Sequence, residues 1–256
     1  MSLAQPKRIL IIKLRHHGDV LLSTPVVDAL KTRFPDCEID MLVYAGTGQL
    51  IADNPQIAQI FTIDRNWKKL GVFKQLACEK NLFSKLKARD YDWAFNLSDQ
   101  WRAAVIAKLC ARCSVGLDCI KRDGFWWRFC HDFINHELDT SHHIVENQLN
   151  ILAPLIQPED VADAKVRLWV AQDARESMRQ KLREQGWNGE DYVLLHPGAR
   201  WHFKCWEDGK NAAIVQLLLN SGQNVVLTAS PDTVEQYMLQ EIIGRLNIPE
   251  GRKVYV

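Results

Sequence analysis

The 256-residue sequence predicts an α/β protein of two consecutive parallel-sheet domains. Three observations carry that prediction. The chain opens on a short, wholly apolar run that turns at once into a glycine-containing loop. Strand-like and helix-like segments then alternate. Near residue 157 a proline-rich polar break interrupts the alternation, which begins again beyond it. Strands separated by helices imply a sheet wrapped by its crossovers.

The elements follow in order. Arg8–Leu14 is apolar throughout and too short for a self-burying helix, so it reads as a central parallel strand. Val20–Phe34 has helical character, with Thr24 as N-cap and Pro25 at the first helical position of its main segment. Glu38–Tyr44 and Ile60–Ile63 are the next strands, followed by a basic helical region, the strand Trp93–Leu97 and a helix from Gln100 to Cys110. His143–Ile156 reads as a helix, and Pro154, Pro158 and the polar segment to Asp163 mark a boundary between domains 1–157 and 158–256. Beyond it come a short strand Val166–Val170, a charged helix Asp173–Gln185 closed by Gly186, and a buried strand Tyr192–Leu195. A helix Gly209–Asn220, a strand Asn224–Thr228 and a helix Asp232–Leu246 complete the series. Two or three strands leave a doubly wound domain incomplete.

Composition narrows the function classes. With 47% hydrophobic and 25% charged residues the chain is globular. It has neither a run of roughly 20 apolar residues nor an apolar export core near Met1, so a cytosolic protein is expected. Seven scattered cysteines argue for reduced thiols. Cys110 and Cys113 have a metal-like spacing, but the first continues a helix and no second compact pair follows. Residues 1–133 carry a net charge of +6 and the rest −5, so only the first half suits an anionic partner. No Gly-x-Gly-x-x-Gly follows the first strand and no P-loop is present, which argues against a nicotinamide dehydrogenase or a kinase.

In open α/β sheets ligands bind beyond the carboxyl ends of strands, so the informative residues lie in exit loops. In Arg15-His16-His17-Gly18-Asp19, Asp19 either caps the next helix or takes a proton from an attacking hydroxyl, with His16 and His17 as alternative bases. Arg65, Lys68 and Lys69 open a stretch reaching Arg89 in which Trp67, Leu70, Phe73 and Leu76 recur at helical spacing. It is a solvated basic helix, or a surface for phosphates or an anionic membrane. Lys121-Arg122 precedes Trp126-Trp127-Arg128, aromatics that suit a core, a membrane interface or a sugar face. His196-Pro-Gly198-Ala199-Arg200 with Lys204 is a small-residue loop whose amides can approach a ligand and whose lysine can meet a diphosphate.

Three segments together resemble the lipopolysaccharide core heptosyltransferases, glycosyltransferase family 9: Arg8 to Pro25, the pattern His143-x-Val-Glu-x-x-Leu149, and His196 to Lys204. The double histidine is most similar to the members that add a third heptose. The resemblance implies a GT-B fold, two Rossmann-like domains facing a cleft, the second incomplete over these residues. It also implies inverting, metal-independent transfer of heptose from ADP-heptose to a phosphorylated inner-core acceptor at the cytoplasmic face of the inner membrane. No cofactor and no nucleic acid are implied. Asp19 matches the family's general base. Lys13, His17, Arg65, Lys68, Lys69 and Arg122 fall on the acceptor side. Gly198, Ala199, Lys204 and Thr233 fall on the donor side. Two other functions compete: a GT-B transferase for another nucleotide sugar, and a non-catalytic membrane-surface module built on the basic helix and Trp126-Trp127.

Overall fold

A computed structural model of the chain describes residues 5–118, 124–135, 141–157, 161, 163–199 and 201–256. It divides into two compact units, residues 1–170 and 171–256.

The first unit is built on six parallel strands: β1 (Arg8–Lys13), β2 (Glu38–Tyr44), β3 (Gln59–Ile63), β4 (Tyr91–Asn96), β5 (Ala111–Leu117) and β6 (Phe133–Asn135). Their order is β3-β2-β1-β4-β5-β6. The apolar opening run takes the centre, where both faces must be covered, and every residue of β1 after Arg8 is buried. One face packs Ile9, Ile11, Trp93 and Phe95 against α2 (Thr24–Arg33) and the segment around Ile151. The other packs Leu10, Ile12 and Ala94 under α3 (Val72–Ala88) and α4 (Trp101–Cys110). The period-two alternation of β1 thus assigns successive side chains to opposite layers.

Several elements depart from the sequence expectation. The helix expected over Val20–Phe34 is broken into α1 (His17–Leu21) and α2. Ser23, not Thr24, holds the cap position of α2, and the Thr24 hydroxyl donates to the Leu21 carbonyl at 2.8 Å. β5, α5 (Phe125–Phe129) and β6 were not anticipated. His143–Ile156 forms only the short α6 (Ile144–Leu149), capped by His143, and a 3-10 turn.

The expected strand Val166–Val170 joins no ladder among the described residues. Its neighbourhood is instead fastened to α2. Buried Asp28 accepts from the Lys165 amide (3.2 Å), Arg167 Nε (3.0 Å) and Gln56 Nε2 (3.1 Å), while the Arg167 amide donates to Thr24 Oγ1. Burial alone would raise the pKa of Asp28, but these donors outweigh it and hold the carboxyl below its usual range. The described residues between 161 and 170, placed with the second domain from sequence, group with the first unit.

The second unit carries α7 (Gln172–Glu184), β7 (Tyr192–Leu195), α8 (Asp208–Asn220), β8 (Asn224–Leu227), α9 (Thr233–Gly244) and β9 (Val254–Tyr255). Gly186 ends the α7 region with a φ of 87°, a conformation open to glycine. The strands are parallel in the order β7-β8-β9. Central β8 is buried along its length. β7 was expected to be buried, yet as an edge strand it leaves Leu194 61% exposed.

Candidate functional site

In the first unit the strand order reverses between β1 and β4, and the exit loops of those strands diverge from a shared rim. Ligands gather at such a point. Four hydrogen bonds or ion pairs sew the two loops together. Ser98 Oγ receives the Leu14 amide at 2.7 Å, Gln100 Nε2 donates to the Leu14 carbonyl at 2.9 Å, Lys13 Nζ donates to the Leu97 carbonyl at 3.2 Å, and Arg15 pairs with Asp99 at 2.8 Å. Ser98, Asp99 and Gln100 were missed from sequence. The rule that selected the β1 loop selects them too, because they leave the next strand of the sheet.

Asp19 lies on this rim, half-buried, at the third position of α1. Its Oδ2 accepts the His16 amide at 3.3 Å, so capping and chemistry are compatible in one side chain: an oxygen that fixes the carboxylate also orients it. His17 is exposed, and its Nε2 lies 3.1 Å from the Gly46 carbonyl, a contact that tethers the β1 and β2 exit loops.

Lys13, expected to meet an acceptor, is buried at the end of β1. Desolvation lowers its pKa to about 8, opposed by the nearby charge of Asp19. Its ammonium therefore sits beneath the rim, within reach of the charges of Asp19, Arg15 and Asp99.

Arg65, Lys68 and Lys69 share a 3-10 turn after β3 and are all exposed. Arg65 lies 4.0 Å over the Tyr44 ring, and the Tyr44 hydroxyl donates to Gln100 Oε1 at 2.5 Å. Arg65 is thereby linked through Tyr44 and Gln100 to Leu14, next to the Asp19 loop. Arg122 lies outside the described residues. Cys110 ends α4, Cys113 lies on β5, and burial pushes both thiols up to about 11.

The second unit has a corresponding rim, formed by the exit loops of the paired strands β7 and β8. His196 Nδ1 lies 3.1 Å from Thr228 Oγ1. Gly198 faces Glu235 in the first turn of α9, and a Cβ added there would lie 2.5 Å from Glu235 Oε2. That oxygen accepts the Ser230 amide at 2.8 Å. The backbone at Gly198 is therefore pressed against a carboxylate, an approach that only glycine permits. Ala199 continues the loop, its carbonyl 3.9 Å from Cys205 Sγ. Lys204 closes the 3-10 turn His202–Lys204 and is exposed. Thr233 is exposed at the start of α9, whose cap is Asp232. The acidic group facing the Gly198 loop is Glu235, which sequence reading missed because the contact joins a loop to a helix turn 37 positions away, Gly198 to Glu235. Arg200 lies outside the described residues.

The chain is similar to known proteins across nearly its whole length. The profile of glycosyltransferase family 9 (heptosyltransferase) matches residues 80–250. A lipopolysaccharide heptosyltransferase 3 of Escherichia coli is 34% identical over 237 residues, 92% of this chain and 68% of that protein. Its counterpart in strain K12 is 34% identical over 90% of this chain and 65% of that protein. The chain thus spans about two thirds of the length of these curated relatives. Among solved structures, a glycosyl transferase family 9 protein from Veillonella parvula superposes with a TM-score of 0.82 at 20% identity, covering 99% of this chain and 70% of that one. The E. coli heptosyltransferase WaaC with ADP-2-deoxy-2-fluoro heptose gives 0.71 at 18% identity, covering 97% and 76%. Likeness at this level shows the fold, a GT-B-like pair of Rossmann-type units.

Proposed function

Because the chain belongs to glycosyltransferase family 9, the heptosyltransferases, we propose that it transfers L-glycero-D-manno-heptose from ADP-heptose to the lipopolysaccharide inner core, as the third heptose, with inversion and without a metal. The observation that carries the choice of substrate is the 34% identity to proteins named lipopolysaccharide heptosyltransferase 3, sustained over nine tenths of the chain. The placement of Asp19 on a strand-exit rim supports the reaction type.

In this reading the first unit serves the acceptor. Asp19 removes the proton of the attacking hydroxyl, the kind of assistance that contributes roughly a hundredfold to ten-thousandfold in rate. Arg65, Lys68 and Lys69 meet acceptor phosphates, His17 extends the same side, and Arg122 is assigned to the acceptor by its family resemblance alone. Buried Lys13 acts from below by stabilising the carboxylate. The second unit serves the donor. Gly198 and Ala199 bring backbone amides to the diphosphate, Lys204 neutralises the charge that develops on the leaving ADP, and Glu235, with Thr233 nearby in sequence, faces the nucleoside. The protein works in the cytoplasm, against the inner leaflet where its acceptor is anchored.

Asp19→Asn is the direct test. It keeps an acceptor oxygen for the His16 amide, so folding and ADP-heptose affinity should stay near wild type while turnover falls at least a hundredfold. Turnover within threefold of wild type would remove Asp19 from the base role. Activity with another nucleotide sugar and none with ADP-heptose would overturn the donor assignment.

A further inference from the structure

The helices α3, α4 and α5 lie on one face of the six-stranded sheet. Leu82 and Leu86 of α3 and Ala103 and Ile106 of α4 pack on Leu10, Ile12 and Ala94. α5 covers the same face of β5, where a Cβ at Gly116 would meet His131, and its Trp127 contacts Trp101 of α4 edge-on at 5.6 Å.

The outer surface of this layer is apolar where a solvated surface would be polar. α3 changes character along its length. Its second half buries Leu82 and Leu86, whereas in its first half Val72 is 71% and Phe73 88% exposed, with Leu76 also open. The helical spacing seen in sequence is real, but the large apolar side chains of its first half, Val72, Phe73 and Leu76, stay mostly exposed. On α4, Trp101, Val105 and Leu109 form an exposed row at intervals of one turn. Leu76, Trp101 and Val105 line one open groove between the two helices. On α5, Trp126 is 67% exposed and clusters with Phe125 and Phe129, both also open. Scattered exposed apolar residues are ordinary; three adjoining helices that all present them form a docking face.

Charge identifies the occupant. From Arg65 to Arg89 the chain carries eight basic residues and one acid, Glu79, which is already paired with Arg102. Lys68, Lys69, Lys74 and Lys80 are all exposed around the apolar half of α3, and Arg128 is exposed on α5. Aromatic and aliphatic side chains ringed by cations suit an interface where acyl chains lie beneath anionic headgroups. The helices α3 and α4 begin on the strand-exit side of the sheet, the rim that carries Asp19, so their apolar first turns border the acceptor side.

We propose that the first half of α3, the outer row of α4 and the exposed ring cluster of α5 form a docking surface for an anionic lipid bilayer. The proposal rests on the transferase reading only for which membrane the surface meets; vesicle binding tests it separately. Co-sedimentation of the 256-residue chain with phosphatidylethanolamine/phosphatidylglycerol vesicles should show binding that weakens in 0.5 M salt, and little binding to phosphatidylcholine alone. Phe73→Ser combined with Trp126→Ser removes two large exposed rings and should lower partitioning by about tenfold or more. Lys74→Glu with Lys80→Glu should lower it severalfold at low salt only. Both pairs are on the surface, and unchanged melting curves would confirm that they fold. No vesicle binding, or binding unaffected by either pair, would overturn the proposal. So would sedimentation velocity showing a dimer that Phe73→Ser dissolves, since the face would then belong to a second copy. Sugar transfer to a detergent-dispersed acceptor without vesicle binding refutes the docking surface alone. Vesicle binding without transfer refutes the transferase reading alone.

Discussion

Gly198→Ala puts the second-unit rim to a quantitative test. The added methyl would sit 2.5 Å from Glu235 Oε2 and 2.7 Å from its Cδ, well inside the closest non-bonded approach of a Cβ. Backbone on the Gly198 side is held by buried Pro197 and the pairing of β7 with β8, so the carboxylate is the part that yields. When it swings away, the Ser230 amide loses its 2.8 Å acceptor. A hydrogen bond to a charged group contributes about 1.5–3 kcal/mol. Glu235 is half-exposed, and solvent replaces part of that, leaving a loss of about 1 kcal/mol. In a unit of this size such a loss moves a melting midpoint by roughly 4–8 °C. Differential scanning calorimetry measures it, and titration with ADP reads the rim directly: affinity should fall at least as far as it does in Glu235→Gln. The mechanism also predicts the double variant. In Gly198→Ala/Glu235→Ala the methyl has nothing to collide with, so its stability should match Glu235→Ala alone, a coupling of about 1 kcal/mol. Additive effects, or a Gly198→Ala protein with wild-type melting and ADP affinity, would refute the contact as the reason for glycine.

Other outcomes follow from the first unit. Lys13 has a lower pKa folded, about 8, than its ordinary 10.5, so between those values the unfolded chain holds more protons and stability rises with pH. Relative to Lys13→Met, wild type should gain up to about 3 kcal/mol across that window in urea titrations; taking the difference cancels the opposing cysteine and tyrosine ionisations, and a flat difference would contradict the burial. Asp40 is wholly buried and accepts from Arg89 Nε and Tyr91 Oη, both at 2.7 Å. Asp40→Ala strands both donors and should cost about 3 kcal/mol by chemical denaturation, whereas Glu38→Ala, at the exposed end of the same cluster, should cost less than about 1 kcal/mol. Gly116→Ala would place a methyl 2.5 Å from the His131 ring and should cost about 1–3 kcal/mol, read the same way.

What could be read from sequence followed the physics of burial. β1 and β2 were placed within a residue because a central parallel strand must be apolar on both faces, and few other elements produce such runs. β5 escaped because its sequence, Ala-Arg-Cys-Ser-Val-Gly-Leu, fills its buried positions with small and polar residues that satisfy one another locally. Ser114 donates to Asp132 at 2.8 Å, and Gly116 makes room for a ring. Val166–Val170 has strand composition, but the Arg167 amide is claimed by Thr24 and its guanidinium by Asp28, both on α2. Composition records preference and cannot record which neighbour arrives first in space.

The candidate site divides along the same line. Asp19, Gly198 and Lys204 lie in the segments that follow the ends of β1 and β7, and a rule about strand exits points to them. Asp99, Gln100 and Glu235 matter through partners 37 to 86 positions away, as Arg15–Asp99, Leu14–Gln100 and Gly198–Glu235 show. The basic helix was legible as basic and periodic, yet its exposed apolar half required knowing where the sheet ends.

The imidazole of His131 has a further consequence. Its Nδ1–H donates to the Trp127 carbonyl at 2.9 Å and its Nε2 accepts from Asn96 Nδ2 at 3.1 Å, while Asn96 Oδ1 receives the Ser98 amide at 3.0 Å. Ser98 in turn holds Leu14 at the head of the Asp19 loop. The ring stands over Gly116 with no room for a methyl. Positions 96, 116 and 131 are therefore one inherited unit: a lineage that enlarges the residue at 116 must give up the histidine, and one that gives up the histidine must find the asparagine amide a new acceptor. Substitutions at these three places should therefore travel together through descent.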